Sequence, residues 1–324
     1  MSLSVFLQWR FNIFLYRTLG WGLARRLIFS LGRLHLLWAG RGDRHRIEAA
    51  VAEVLGRGKD DPRIRRIVKG IFSGILSHYY EKLFIAFESV GRATRFLYDA
   101  VRSDDLEVLR DALASGEGVI LVTGHYGAIE YIPTLLAVHR LPVTMIAKFK
   151  TVRLRDQVFE QARKYGIRLI DAGRTENVMG RGIRELKEGR ILVTECDEIE
   201  EWRPSRRQGV SFLGRVTGMD RTLNILQRRS GARVVFGVIH RYSLTRYRLF
   251  MYNEKQMLRQ LDVDASPSVG ETVLKFLEMK IYRHPEQWYE WKKYFDIPPL
   301  TGTVIGIRHA AAVPVMGAAL QKAA

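Results

Sequence analysis

The chain has a single cysteine in 324 residues, and that scarcity closes two lines of chemistry. No intramolecular disulfide can form, and a cysteine-rich metal centre is excluded. Cys196 stands between Glu195 and Asp197, whose charges raise a thiol's pKa, so it reads as a small inert hydrophobe and not as a thiolate nucleophile. The sequence has no Gly-x-Ser-x-Gly elbow, which leaves a serine acyl-enzyme without a candidate. It has no His-Glu-x-x-His pair, no Walker A loop and no dinucleotide glycine fingerprint after a strand, so neither a metal nor a cofactor is expected. Gly180-Arg181-Gly182 falls inside a helical pattern and reads as packing. No segment approaches the roughly 20 apolar residues that cross a bilayer. Acids are scarce beside bases, 34 against 52, which gives a net charge of +18. Such an excess favours polyanionic partners: nucleic acid, an anionic bilayer or phosphorylated substrates.

The basic residues are unevenly placed. Residues 1–46 hold eight arginines against one acid, Asp43, interleaved with bulky side chains such as Phe6, Trp9, Phe14, Trp21, Phe29 and Trp38. Gly20 and Gly22 divide this stretch into two predicted helices. In each, a pair of arginines lies two turns apart, Arg10 with Arg17 and Arg26 with Arg33, and forms one stripe. An apolar helix with such a stripe suits the headgroup layer of an anionic membrane; packing against the domain is the plainer alternative. Arginines interrupt every stretch that could serve as a signal-peptide core.

Beyond it, Asp61-Pro62 opens a long helix as cap and first-turn proline, with Ile64, Ile67, Val68, Ile71 and Ile75 at helical spacing. His78 and Glu81 read as ordinary side chains at its margins. Ser103 caps a shorter helix from Leu106 to Ala114. An alternation follows: strands near 118–123, 143–147, 167–171 and 191–195, with helices near 128–139, 152–164 and 177–188 between them. That pattern predicts an α/β fold, a helical N-terminal region followed by a largely parallel mixed sheet flanked by helices. Strands near 233–240 and 245–252 extend it, and helices near 270–282 and 286–295 close it. The chain divides into a helical, membrane-associating region at 1–100, an α/β core at 101–300 and a small-residue tail at 301–324. At 47% apolar residues the core can be large.

The most informative segment is His125-Tyr126-Gly127-Ala128-Ile129-Glu130, directly after the apolar run Val119-Ile120-Leu121-Val122-Thr123-Gly124. It places an imidazole and a carboxylate at the carboxyl end of a buried strand, where open α/β folds locate their chemistry. Neutral imidazole accepts protons near pH 7, and a carboxylate on its other nitrogen fixes the tautomer. The same residues also suit a plain helix start with Glu130 in the first turn. The pattern of a histidine, four residues and an acid (HX4E) after a strand resembles the signature of the lysophospholipid acyltransferase superfamily. Within it the chain resembles the bacterial lipid A biosynthesis acyltransferases. Supporting segments are Ala147-Lys148-Phe149-Lys150, Glu185-Leu186-Lys187-Glu188-Gly189 before Ile191-Leu192-Val193, Glu195-Cys196-Asp197, Val210–Arg215, and His284-Pro285-Glu286-Gln287-Trp288 with Trp291–Phe295. The last block also has an adequate local explanation and is taken as a family marker.

The resemblance implies a membrane-associated acyltransferase at the cytoplasmic face of the inner membrane. It would move a fatty acyl chain from acyl carrier protein or acyl-coenzyme A to a hydroxyl of a lipid A-type acceptor. His125 would be the base and Glu130 the group that holds it. Lys148, Lys150, Arg215 and Arg221 would bind substrate, and Lys148, Arg221 or amides near Gly127 would meet the oxyanion. Arg203, Arg206, Arg207 and Arg215 form a second basic cluster, suited to a carrier protein, coenzyme A or headgroups. Three departures leave the acceptor open: lysines at 148 and 150 where arginine is usual, Asp220-Arg221 in place of small residues, and the added acids of Glu198-Ile199-Glu200-Glu201. A phospholipid, aminolipid or mannosylated lipid stays possible as acceptor. A nucleic-acid binder is the rival from another class; it has the charge but no binding motif, so no nucleic acid is expected.

Overall fold

The computed structural model describes residues 41–149, 151–263 and 268–300, and a scatter of helical positions between 20 and 34. Lys150, the tail at 301–324 and most of the arginine-striped N-terminal segment lie outside the described residues.

The predicted alternation is present, and it builds the predicted α/β fold. Helices α1 (Arg41–Leu55), α2 (Pro62–Phe87) and α3 (Val90–Ala100) come first, then β1 (Val101–Arg102) and α4 (Leu106–Leu113). The wound part follows as β2 (Val119–Thr123), α5 (Ile132–Val138), β3 (Val143–Ala147), α6 (Val152–Lys164), β4 (Arg168–Asp171), α7 (Val178–Lys187) and β5 (Ile191–Glu195). After a hairpin of β6 (Pro204–Phe212) and β7 (Arg215–Asp220) come α8 (Thr222–Ser230), β8 (Arg233–Ser243), β9 (Arg246–Asn253), α9 (Glu254–Leu261) and α10 (Val269–Arg283). The main sheet has the order β1-β9-β8-β2-β5-β3-β4, and β6 and β7 form a separate antiparallel pair. Strand β8 runs parallel to β2, β9 is antiparallel to β8, and the short edge strand β1 runs parallel to β9, so these two strands oppose the rest.

Strand β2 is central and buried at every position. Its alternate residues serve opposite faces: Ile120 and Val122 join a core with α2 and α10, while Val119 and Leu121 join one with α4 and α5. Helices α1 and α2 belong to the first of these cores through Ile47, Val51, Ile64, Val68 and Ile71. Each such side chain contributes about 1.5–3 kcal/mol by burial, so residues from 41 onward are packed into the same body as the sheet. Upstream, Gly32 lies against Leu76 of α2, where a Cβ would come within 2.1 Å of a leucine methyl. Leu23 and Leu34 nearby are exposed.

The long helix starts where its cap places it, with Asp61 accepting a 2.7 Å bond from the Arg63 amide. Four local expectations change. Asp105, not Ser103, occupies the N-cap position of α4. The segment at 286–295 is two short 3-10 turns, Pro285–Gln287 and Trp291–Asp296, because Trp288 leaves the helical path to bridge Tyr126. Glu81 is fully buried, in a two-bond ion pair with Arg241 at 2.7 Å each, and His78 stacks on Tyr289, so neither is marginal. The β6–β7 hairpin was not foreseen.

Candidate active site

Register assembles the site. Strands β2 and β5 are parallel neighbours with Thr123 opposite Glu195. Two residues further on each chain stand His125 and Asp197, side by side at the carboxyl edge of the sheet. Gly124 allows the approach, since a Cβ there would fall 2.6 Å from Leu277 and 3.1 Å from the Asp197 carboxylate.

Asp197 is fully buried and fully used. One oxygen lies 3.0 Å from His125 Nδ1; the other accepts the His125 amide at 2.8 Å and the Trp288 indole N–H at 2.7 Å. Burial alone would raise this carboxyl's pKa, but the imidazole's charge and these three bonds outweigh it and hold it below the ordinary aspartate value. Asp197 therefore stays ionised, and it fixes the proton of neutral His125 on Nδ1. Nε2 has no such close partner and lies 3.5 Å from Glu198 and 3.7 Å from Glu195. Desolvation works against an imidazolium here, yet Glu195 and Asp197 prevail and raise the His125 pKa well above its usual value. Burial, opposed by the histidine's charge and aided by Asp197 and Glu198, lifts Glu195 to about 7.

The loop that carries His125 is clamped from behind. Gly127 has φ of +60°, and a Cβ on it would lie 1.8 Å from the Ile239 carbonyl, so only glycine fits. Its amide donates to the Gln287 carbonyl and the Ala128 amide to that of Ile239, at 2.9 Å each. Both amides are spent within the protein, which removes them as oxyanion donors. Arg241, held by Glu81, donates to the Gly127 carbonyl, while the Gln287 side chain bonds the backbone N–H and C=O of Arg241 at 3.2 and 3.0 Å.

The family model of the bacterial lipid A biosynthesis acyltransferases matches residues 3–295. The chain belongs to that family. No curated protein matches it. Acyl transfer involving lipid acceptors is the activity this kinship gives, and it decides for an enzyme over a nucleic-acid binder.

The HX4E pattern runs from His125 to Glu130, but its two ends do not touch. The Glu130 carboxylate lies 3.1 Å from Lys82 Nζ and 3.5 Å from His78 Nδ1, both on α2, and the carboxylate on the imidazole is that of Asp197. The physical reason is geometric. The residues after His125 turn through a tight glycine loop into a 3-10 turn, Ile129–Tyr131, which delivers Glu130 toward α2. Asp197 was read only as part of an acidic strand end. The signal that would have found it is its offset from β5, equal to that of His125 from β2.

The basic residues read as substrate contacts are spread out. Lys148 is exposed and lies 2.6 Å from Glu201. Arg215 packs on Tyr294 and Phe295, 4.6 and 5.0 Å from their ring centres, and lies 3.5 Å from Glu53. Arg221 is exposed at the start of α8. The side chains of Arg206 and Arg207 lie outside the described residues. Nearer the histidine, Lys293 bridges Glu290, Glu198 and Glu200 at 3.0, 3.4 and 3.7 Å. Among the described residues, one set has the spacing to hold a metal ion: His125, Glu195 and Glu198, with ligand atoms within 4.8 Å of one another. A small, mostly apolar cavity of about 30 Å³ is lined by Glu195, Met219, Leu223, Leu226, Val273 and Leu274. Among the described residues no helix is long and apolar enough to cross a membrane.

Proposed function

We propose that the protein moves a fatty acyl chain from an acyl thioester, carried on acyl carrier protein or coenzyme A, to a hydroxyl of a lipid A-type glycolipid. The observation that supports this most is the His125–Asp197 pair, in which a buried carboxylate holds Nδ1 and leaves Nε2 free to act. In this reading neutral His125 takes the acceptor's proton at Nε2 as the hydroxyl oxygen attacks the thioester carbon. The carbonyl electron pair moves to oxygen. When it returns, the C–S bond breaks and the thiolate leaves with the proton from the imidazolium. Asp197 stabilises that imidazolium throughout, a contribution of about a hundred- to ten-thousand-fold for general-base catalysis of this kind.

The acyl chain lies along the apolar cavity that Glu195 helps to line. At its present size the cavity holds about one water, so Met219 and Leu226 give way as the chain enters. The arginine-striped N-terminal segment, within the region 1–100, seats the enzyme on the anionic cytoplasmic face of the inner membrane. Exposed Leu23 and Leu34 are in keeping with such a seat. The test is incubation of the purified enzyme with acyl-acyl carrier protein or acyl-coenzyme A and a panel of lipid A precursors, lysophospholipids, aminolipids and mannosylated lipids, with products weighed by mass spectrometry. Acylation of a lipid A precursor supports the reading. Acylation confined to another lipid overturns the acceptor, and no acylation of any lipid overturns the activity.

A further inference from the structure

Beside Glu130, α2 and the residues packed on it carry hydrogen-bond donors without a full set of partners among the described residues. Lys82 has Glu130 as its one hydrogen-bond partner among the described residues, at 3.1 Å. An ammonium carries three donors, so two remain. Tyr289, which packs on His78 one turn before Lys82, is 5% exposed, and its hydroxyl has no partner among the described residues. The Tyr289 ring is stacked on His78 at 4.5 Å and stands edge-on to His125 at 5.5 Å, which puts it between the α2 side chains and the imidazole. The carboxylates that act on the phenol are, in order, Glu130, Glu195, Glu290 and Asp197, the acids of the same site. An unpaired buried hydroxyl costs about 1–3 kcal/mol. Such a cost is recovered when an acceptor-rich ligand arrives.

The β5 side of the histidine is acidic, with Glu195 and Glu198 beside His125 Nε2, and Glu200, Glu201 and Glu290 joined to the same group through Lys293 and Lys148. Its lysines are taken: Lys293 by three carboxylates and Lys148 by Glu201. An anionic group entering the site is repelled from that side and finds donors on the α2 side.

We propose that Lys82 and Tyr289 form a binding site for a phosphate-type anionic group of a substrate, and that Glu130 is the positioning residue that holds Lys82 for it. This rests on the reading of His125 as the base. It gives the acid of the HX4E pattern a task that matches its contacts: it aims a cation at the substrate, while Asp197 serves the imidazole. The charge of Glu130 raises the Lys82 pKa, so the lysine is an ammonium at any working pH. The phosphate can belong to the acceptor glycolipid or to the donor's carrier group, and separate titrations tell them apart.

The experiment is steady-state kinetics of the full chain, with lauroyl-coenzyme A as donor and a phosphorylated lipid A precursor or its phosphatase-treated form as acceptor. Lys82→Gln is expected to raise KM for one phosphate-bearing partner by about tenfold, while kcat changes less than about threefold. If the acceptor's phosphate is the ligand, removing it abolishes the effect; if the donor's is, the donor KM carries it. Lys82→Arg restores most of the affinity. Tyr289→Phe shows a smaller rise in the same constant. Glu130→Gln repeats the Lys82→Gln profile and adds nothing in the double variant. Unchanged KM values with a lowered kcat overturn the proposal, as does a Glu130→Gln effect that adds fully to Lys82→Gln. His125→Ala, run alongside, separates the two readings: near-normal turnover there overturns the general-base mechanism whatever Lys82 does.

Discussion

The β5 side and the α2 side of the candidate site differ in how completely their polar groups are satisfied. On the β5 side Asp197 makes three hydrogen bonds with no exposure. On the α2 side Lys82 and Tyr289 keep donors in reserve. A satisfied buried network rigidifies; an unsatisfied one waits for a ligand. On the proposed reading, the contrast separates setting the base, at the strand edge, from receiving the substrate, beside the helix.

Predictions that break or sharpen this division begin with His125→Ala. Turnover should fall by about a hundred- to ten-thousand-fold with KM nearly unchanged, because only the proton transfer is lost. Next is the clamp behind the loop. Glu81→Ala leaves Arg241 charged and buried without its partner, which costs about 3–5 kcal/mol; chemical denaturation should show that loss, and a variant as stable as the parent would mean the clamp is idle. Gly270 borders the apolar cavity, and a Cβ there would fall 2.7 Å from the Met219 methyl. Gly270→Val should therefore move donor preference toward shorter acyl chains in a competition among thioesters, and an unmoved profile would place the chain elsewhere. The smallest effect is expected for Lys148→Gln. An exposed lysine already paired with Glu201 should change either KM by less than about twofold.

Much of the fold was legible because a parallel sheet writes itself as buried runs separated by helical periods. Helix α6 and strand β5 fall where the pattern puts them, at Val152–Lys164 and Ile191–Glu195. The β6–β7 hairpin was not legible, since Arg206, Arg207 and Gln208 break the alternation that marks a strand. His125 was found from its place after a buried strand. Its partner was assigned by nearness in sequence to Glu130, whereas Asp197 reaches it through strand pairing across seventy-two residues. Glu81 looked marginal because its partner, Arg241, is on β8, far along the chain. Lys82 carried no signal at all in the sequence; only its position against Glu130 sets it apart from the other lysines.

The measurement closest to the central claim is the pH dependence of kcat/KM in the parent enzyme and in Asp197→Asn. The base acts in its neutral form, and Glu195 and Asp197 raise the pKa of His125 well above 6.5. Activity in the parent should therefore rise with pH through a limb above that value. Removing the Asp197 charge withdraws part of what favours the imidazolium, so in the variant the limb should move to lower pH while its plateau drops by about a hundredfold. A limb that stays in place in a folded Asp197→Asn enzyme, with its plateau intact, would contradict the assignment of Asp197 as the group that sets the base.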